Sequence, residues 1–384
     1  MRNASYRYTM LGLVAFVLVG CSGVGPSNPT SATNVAAAAD GEGPPVRLAV
    51  VGLVHGHVRG FLDRLKGRTD VQLVGVVDPD ATLRDKYRER YGLGADVFHA
   101  TVEAMLEVAR PQAVAIFTST YDHPEVVEAC AARGVHVMME KPLAVSMAHA
   151  RRIADAAARG RIQVLVNYET TWYASNRAVY DAVKAGTLGP VRKMVAHDGH
   201  RGPQEIGVQP EFLRWLTDPV LNGGGALTDF GCYGANLFTW LMGGARPVSV
   251  SAVAQTFKPA VYPRVDDEAT IVVAWPEAVG IIQASWNWPF DRKDLEVYGR
   301  TGQALTVKRE AVRFRLEGKE EAEIPSPALA PPEDDTVRYL AAVVRGEVRP
   351  SGLSSLENNL VVTEILDAAR ESAQTGRTVK LPAR

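Results

Sequence analysis

Beyond residue 45 the chain opens with short apolar runs separated by helical stretches. Val46–Val51 and Val71–Val77 are almost continuously apolar, as strands buried on both faces must be. A glycine-containing turn and a helix running to about Lys66 lie between them, and a charged helix over 81–91 follows. Residues 114–118, 135–139 and 163–166 read as three more strands, with helices over 124–133 and 146–159. Strands that alternate with helices predict a doubly wound parallel sheet over 46–166, a Rossmann-type domain.

After about Asn167 the pattern changes. A helix over 177–185 is followed by strand-like runs at 191–197, 248–257, 269–275, 279–288, 294–299 and 304–309. Their hairpin-like spacing predicts a large, mostly antiparallel sheet. Helices over 333–346 and 355–374 close the chain and have the apolar content to pack back on the first domain. The expected fold class is therefore α/β: an N-terminal Rossmann sheet, then a C-terminal α/β domain over 167–384 for substrate and oligomer contacts.

The first 45 residues carry a different signal. Arg2 and Arg7 precede an uninterrupted apolar run over 10–20, the length of a signal-peptide core and short for a bilayer span. It ends in Leu18-Val19-Gly20-Cys21, which resembles a lipoprotein lipobox. This reading makes 1–20 a leader, Cys21 the lipidated first residue and 21–45 a flexible tether. The product would be an exported lipoprotein anchored in a bacterial cell envelope. An ordinary signal cleaved near 36–39 is the alternative.

Composition adds exclusions. A formal net charge of −1 with scattered signs supplies no basic stripe for nucleic acid. Three cysteines cannot build a disulfide framework.

Candidate chemistry gathers at two motifs. Glu140-Lys141-Pro142 follows the fourth predicted strand, at the sheet edge where open α/β folds bind ligands. Gly223-Gly224-Gly225 precedes Asp229 and Tyr233, which are four apart and share a face if one helix holds both; Asn236 lies three further on. Taken singly, Lys141 also reads as a surface lysine and Tyr233 as a buried helix tyrosine. With the βαβ opening and the closing Gly376–Pro382 tail, these motifs resemble the Gfo/Idh/MocA family of NAD(P)-dependent oxidoreductases, over nearly all of the chain from Val46.

The resemblance implies several expectations. Lys141, Asp229 and Tyr233 become the catalytic set. Most members carry histidine where Tyr233 stands; the glucose–fructose oxidoreductase-like branch has tyrosine there as proton donor or acceptor, its pKa lowered by the neighbouring lysine. The cofactor is NAD or NADP, lined by Gly52, Val54, His55, Gly56, His57, Asp78, Thr118, Ser119, His123 and Glu140. His197, His200 and Asn236 face a carbohydrate substrate, and the outer face of the second sheet pairs subunits into a dimer or tetramer. The dinucleotide fingerprint departs from G-x-G-x-x-G: Val54 and His57 stand at its second and third glycines, with Gly56 one place early. The histidines show no zinc spacing, so no metal is expected.

Three functions are compatible with this sequence. The first is an oxidoreductase acting on a sugar, polyol or glycoside hydroxyl with a tightly held, recycled cofactor. The second is an NAD-dependent glycoside hydrolase working by oxidation and elimination. The third is a non-catalytic sugar-binding lipoprotein that has lost the dinucleotide.

Overall fold

A computed structural model describes residues 43–382. The leader, the lipobox cysteine Cys21 and nearly all of the tether lie outside the described residues. No described helix is long and apolar enough to cross a membrane.

The first sheet has six parallel strands in the order β3-β2-β1-β4-β5-β6. They are β1 (Val46–Val51), β2 (Val71–Val77), β3 (Phe98–His99), β4 (Ala113–Ile116), β5 (His136–Glu140) and β6 (Val164–Asn167). The helices between them are α1 (Val58–Leu65), α2 (Ala81–Tyr91), α3 (Val102–Ala109), α4 (His123–Ala131) and α5 (Met147–Gly160). The apolar runs form β1 and β2 over the expected residues. The two-residue β3 is too short to leave a periodic signal in the sequence. Local chemistry sets the helix ends: Asp80 caps α2 through the Thr82 amide, and Ser146 caps α5 through the His149 amide.

The second sheet has nine strands in the order β14-β13-β12-β11-β7-β10-β9-β8-β15. They are β7 (Val191–Gly199), β8 (Ser249–Gln255), β9 (Glu268–Ala274), β10 (Val279–Ser285), β11 (Arg292–Gly299), β12 (Gly302–Lys308), β13 (Ala311–Leu316), β14 (Ala322–Pro325) and β15 (Val379–Lys380). Only β7 and β10 pair in parallel. Its helices are α6 (Ala174–Lys184), α7 (Pro210–Leu216), α8 (Ala226–Asp229) and α9 (Gly231–Leu241). The closing helices are α10 (Thr336–Val344) and α11 (Leu356–Thr375).

Two features of this half position the site. The helix pictured through Asp229 and Tyr233 is broken: α8 ends at Asp229 and α9 begins at Gly231, with Phe230 between them. At its start, a Cβ on Gly225 would lie 1.8 Å from the Asp266 carbonyl oxygen. Only glycine lets the Gly223–Gly225 turn press against β9's approach strand and set the angle of α8. The second feature is α10, whose Val337, Leu340 and Val343 join the core of Leu48, Val76 and Leu165 under the first sheet.

Candidate active site

Lys141 leaves the C-terminal end of β5 and is buried, at 6% exposure. Its peptide bond to Pro142 is cis. The ammonium donates to the Asp229 carbonyl oxygen at 3.0 Å and forms an ion pair with Asp229 Oδ1. Trp286 Nε1 donates to the other carboxylate oxygen, Oδ2, at 3.0 Å. Burial raises the cost of both charges, but each charge more than offsets it for the other. Asp229 is held below its ordinary range, and Lys141 is lifted above its own. The pair is therefore ionised at neutral pH.

Tyr233 projects from the first turn of α9 into the same place. Its ring lies 5.2 Å from Lys141 Nζ and 4.9 Å from Lys293 Nζ. Tyr168 meets it edge-on at 5.5 Å. Burial pushes the Tyr233 hydroxyl well above its ordinary value, and neighbouring Cys232, Glu169 and Asp229 push the same way. This overturns the expectation that Lys141 lowers it. The lysine's charge is already balanced by Asp229, so Tyr233 stays protonated.

These groups line one cavity of about 360 Å³, with Gly56, His57, His200, Phe212, Phe230 and Lys293. His200 accepts the Gly202 amide at Nδ1 (2.9 Å), and burial lowers its pKa. Lys293 was not anticipated. It reaches the cavity from β11, where the alternation of the strand was the available signal, and is anchored by Glu169. Asp198, also unanticipated, is completely buried beside these groups, and burial pushes its carboxyl well up.

Two expected substrate ligands lie elsewhere. Asn236 is fully buried, donating to the Leu353 carbonyl at 2.8 Å and to Asn359, so it ties α9 to the α11 region. His197 is held by Asp294 at 3.0 Å and does not line the cavity.

The expected cofactor residues cluster at the ends of β1, β2 and β4. Gly52 has φ +88°, and a Cβ there would come within 2.5 Å of the Thr118 amide. Asp78, at the end of β2, accepts the Leu53 amide at 2.7 Å and the Asp80 amide at 2.9 Å. Thr118 Oγ1 donates to the Ser119 carbonyl, and Ser119 Oγ to Asp122. His123 is buried and donates through Nδ1 to the Leu143 carbonyl at 3.1 Å. Val54 packs its side chain against the cores on both sides of the sheet. Its carbonyl accepts Trp215 Nε1 at 3.3 Å. His55 is buried beneath Phe212 and Trp215, at ring distances of 4.6 and 5.5 Å. Burial holds its imidazole well below the ordinary value. His57 reaches from the start of α1 to Glu140, at 3.0 Å. Glu140 also accepts Asn167 Nδ2 at 2.9 Å. Burial alone would raise the Glu140 carboxyl, but His57 and Asn167 outweigh it and bring it to about 2.

His123 supports a pH prediction. Burial lowers its imidazole from 6.5 to about 4, against the opposing pull of the Leu143 carbonyl, Asp122 and Glu140. The unfolded chain therefore binds this proton first, and stability falls as pH drops from 6.5 through 4. The loss is about 3 kcal/mol at order-of-magnitude level. Urea unfolding across that range should show it, and His123→Gln should flatten the slope. An unchanged slope in the variant would assign the effect to other groups, such as His55.

A doubly wound sheet, a lysine–carboxylate pair at its strand edge and a second sheet walling the cavity define a Rossmann oxidoreductase architecture. Comparison with known proteins narrows this. Residues 46–168 match the model of an oxidoreductase family with an NAD-binding Rossmann fold, and residues 176–305 match the GFO/IDH/MocA C-terminal domain. Together these ranges take in more than half of the chain, which belongs to the Gfo/Idh/MocA oxidoreductase family; its first domain is that family's NAD-binding Rossmann domain. The chain is 23% identical over 229 residues to trans-1,2-dihydrobenzene-1,2-diol dehydrogenase of Macaca fuscata fuscata, covering 60% of this chain and 64% of that protein. It is 30% identical over 192 residues to dTDP-3,4-didehydro-2,6-dideoxy-alpha-D-glucose 3-reductase of Streptomyces antibioticus, covering 50% and 55%. The matched region thus spans just under two thirds of the macaque protein and about half of the Streptomyces one. Among solved structures, the aldose-aldose oxidoreductase of Caulobacter crescentus complexed with glycerol superposes with a TM-score of 0.75 at 24% identity, over 88% of this chain and all of that one. An inositol dehydrogenase homolog of Azotobacter vinelandii complexed with NAD+ gives 0.76 at 19%, over 88% and 98%. These two structures share the fold.

The residues present fit a dinucleotide. Gly52 supplies the tight turn, with room for no side chain. Val54 turns its side chain into the cores, and His57 turns its own toward Glu140. The helix α7 packs directly on the loop through Trp215 and Phe212.

Proposed function

We propose that this chain is an NAD(P)-dependent oxidoreductase acting on a hydroxyl of a sugar, polyol or glycoside. The observation that carries the reading is the buried, ionised Lys141–Asp229 pair beside a protonated Tyr233 in one cavity at the strand edge. The Gly52–His57 loop and the ends of β2 and β4 would hold the dinucleotide, which supplies the hydride acceptor or donor. Every other task falls to the chain. Two of the three Lys141 ammonium donors are taken by Asp229, which leaves one for a substrate oxygen. Tyr233 offers a second donor to that oxygen. In carbonyl reduction its hydroxyl gives up the proton; in alcohol oxidation the phenolate left by that step, not the resting phenol, takes the proton of the substrate hydroxyl. Asp229 keeps Lys141 charged and in place. Lys293 and His200 line the rest of the cavity, where a polyhydroxylated substrate needs polar partners.

A cofactor held through successive turnovers is a further part of this proposal. Leu18–Cys21 supports export and lipid anchoring as a further part of this proposal, checked by the mass of the mature N-terminus. The deciding experiment releases nucleotide from the purified chain by denaturation, identifies it by absorbance and mass, and titrates NAD and NADP onto stripped protein. Bound dinucleotide together with polyol- or sugar-dependent reduction is the expected result. No nucleotide and no affinity for it would overturn the reading in favour of a sugar-binding protein. Glycoside cleavage without net redox change would move it to the hydrolase.

A further inference from the structure

We propose that His55, His57 and Glu140 form a binding site for one divalent first-row transition-metal ion. One donor atom from each of the three lies within 4.8 Å of the others, close enough to converge on a single ion after small side-chain adjustments. Two imidazoles and one carboxylate are a donor set suited to zinc or ferrous iron. The groups come from rigid places: the β1–α1 turn and the last residue of β5.

Three observations point to a cation here. First, Glu140 is a carboxylate only 3% exposed, and among the described residues no lysine or arginine forms an ion pair with it. Lys141, its neighbour in sequence, is committed to Asp229. Among the described residues, the hydrogen-bond partners of Glu140 are His57 and the neutral amide of Asn167, so no partner brings it a permanent positive charge. Second, His55 Nδ1 accepts the His57 amide at 3.1 Å, so that nitrogen is unprotonated and its lone pair lies on the His57 side. A metal would take the lone pair in exchange for one hydrogen bond. Third, the outer shell is already built. Asn167 Nδ2 donates to Glu140 Oε1 while its Oδ1 accepts Trp172 Nε1 at 3.0 Å, which fixes the amide and leaves Oε2 on the His57 side.

The site is open on one side. His57 is half-exposed and lines both the substrate cavity and a neighbouring cavity of about 320 Å³ that also contains Glu140 and Asn167. Three protein ligands with an open face make a site that can hold water or a substrate hydroxyl as a further ligand.

The inference shares His55 and His57 with the loop proposed to hold the dinucleotide, but its test reads metal and not turnover, so the two fail separately. The full-length chain, purified in detergent and stripped with chelator, is titrated with zinc by calorimetry, then with cobalt(II) followed by its visible spectrum. The expected result is one zinc per chain, and a cobalt spectrum without a thiolate charge-transfer band. His57→Ala and Glu140→Gln should each weaken zinc by about 100-fold or more, and Asn167→Ala by about 10-fold, as outer-shell losses do. The cobalt spectrum of the unaltered chain keeps the test valid if a variant fails to fold. No zinc binding, a thiolate band, or affinity unchanged in both ligand variants would overturn the assignment.

Discussion

Tyr233→Phe is expected to lower kcat by about 10²- to 10⁴-fold, the range for losing a positioned proton donor. Substrate affinity should change only a few-fold, because the ring remains. That ring is fixed by Tyr168 at 5.5 Å, Phe230 at 6.0 Å and the two lysine ammonium groups, none of which needs the hydroxyl. The hydroxyl is protonated at neutral pH because burial and three neighbouring acidic groups oppose the phenolate. Its loss removes the proton that the carbonyl oxygen must receive. Lys141 can still stabilise that oxygen, so activity above background should persist. Steady-state kinetics together with direct substrate binding separate the two effects. A kcat equal to that of the unaltered chain would remove Tyr233 from the mechanism.

Asp229→Asn is expected to destabilise the chain by about 3–5 kcal/mol, the usual cost of leaving one partner of a buried ion pair uncompensated. The pair is well buried on both sides. Asparagine keeps the shape but loses the charge. Its amide must also face either the Lys141 ammonium or Trp286 Nε1, so one donor is left facing another donor. Lys141 then becomes a buried cation without a counter-charge, and its pKa falls. Activity should fall too, and its pH profile should acquire a new ionisation near or below neutrality as Lys141 loses its proton. Adding Lys141→Met should recover part of the stability and none of the activity. Urea unfolding of the two single variants and the double variant measures the coupling. Independent, additive losses would mean that the two residues do not act as a pair.

The two readings of the active site came from different kinds of information. Glu140-Lys141-Pro142 and the Gly223–Tyr233 segment were visible as motifs because the chemistry requires particular residue types at short spacings. Lys293 and Asp198 were not visible, because their approach to the cavity depends on the pairing of β7 with β11, which sets the two residues opposite each other, and on the packing of α9 over β7. Asn236 shows the reverse error: helical spacing placed it near Tyr233, yet its amide faces Leu353 and Asn359. A helix wheel gives relative angles and not the direction of the cleft, and the break at Phe230 changed even those angles. The state of Tyr233 followed the same course. The family resemblance implied a pKa lowered by Lys141, but the lysine's charge is balanced by Asp229.

By itself the sequence determined the order of the elements, the parallel character of the first sheet and the mainly antiparallel second sheet. Those follow from the period of apolar residues, and a period is a local property that survives without coordinates. It also marked the strand-edge lysine and the glycine turn, since both depend on backbone constraints carried by a few adjacent residues. Only the tertiary structure decided what Val54 and His57 do in place of glycines, turning one into the cores and the other toward Glu140. It alone placed α7 over the loop, and it alone joined His55 and His57 to a carboxylate more than eighty positions away. Burial, pairing of charge and convergence of donors depend on distances across the chain, and no spacing along it encodes them.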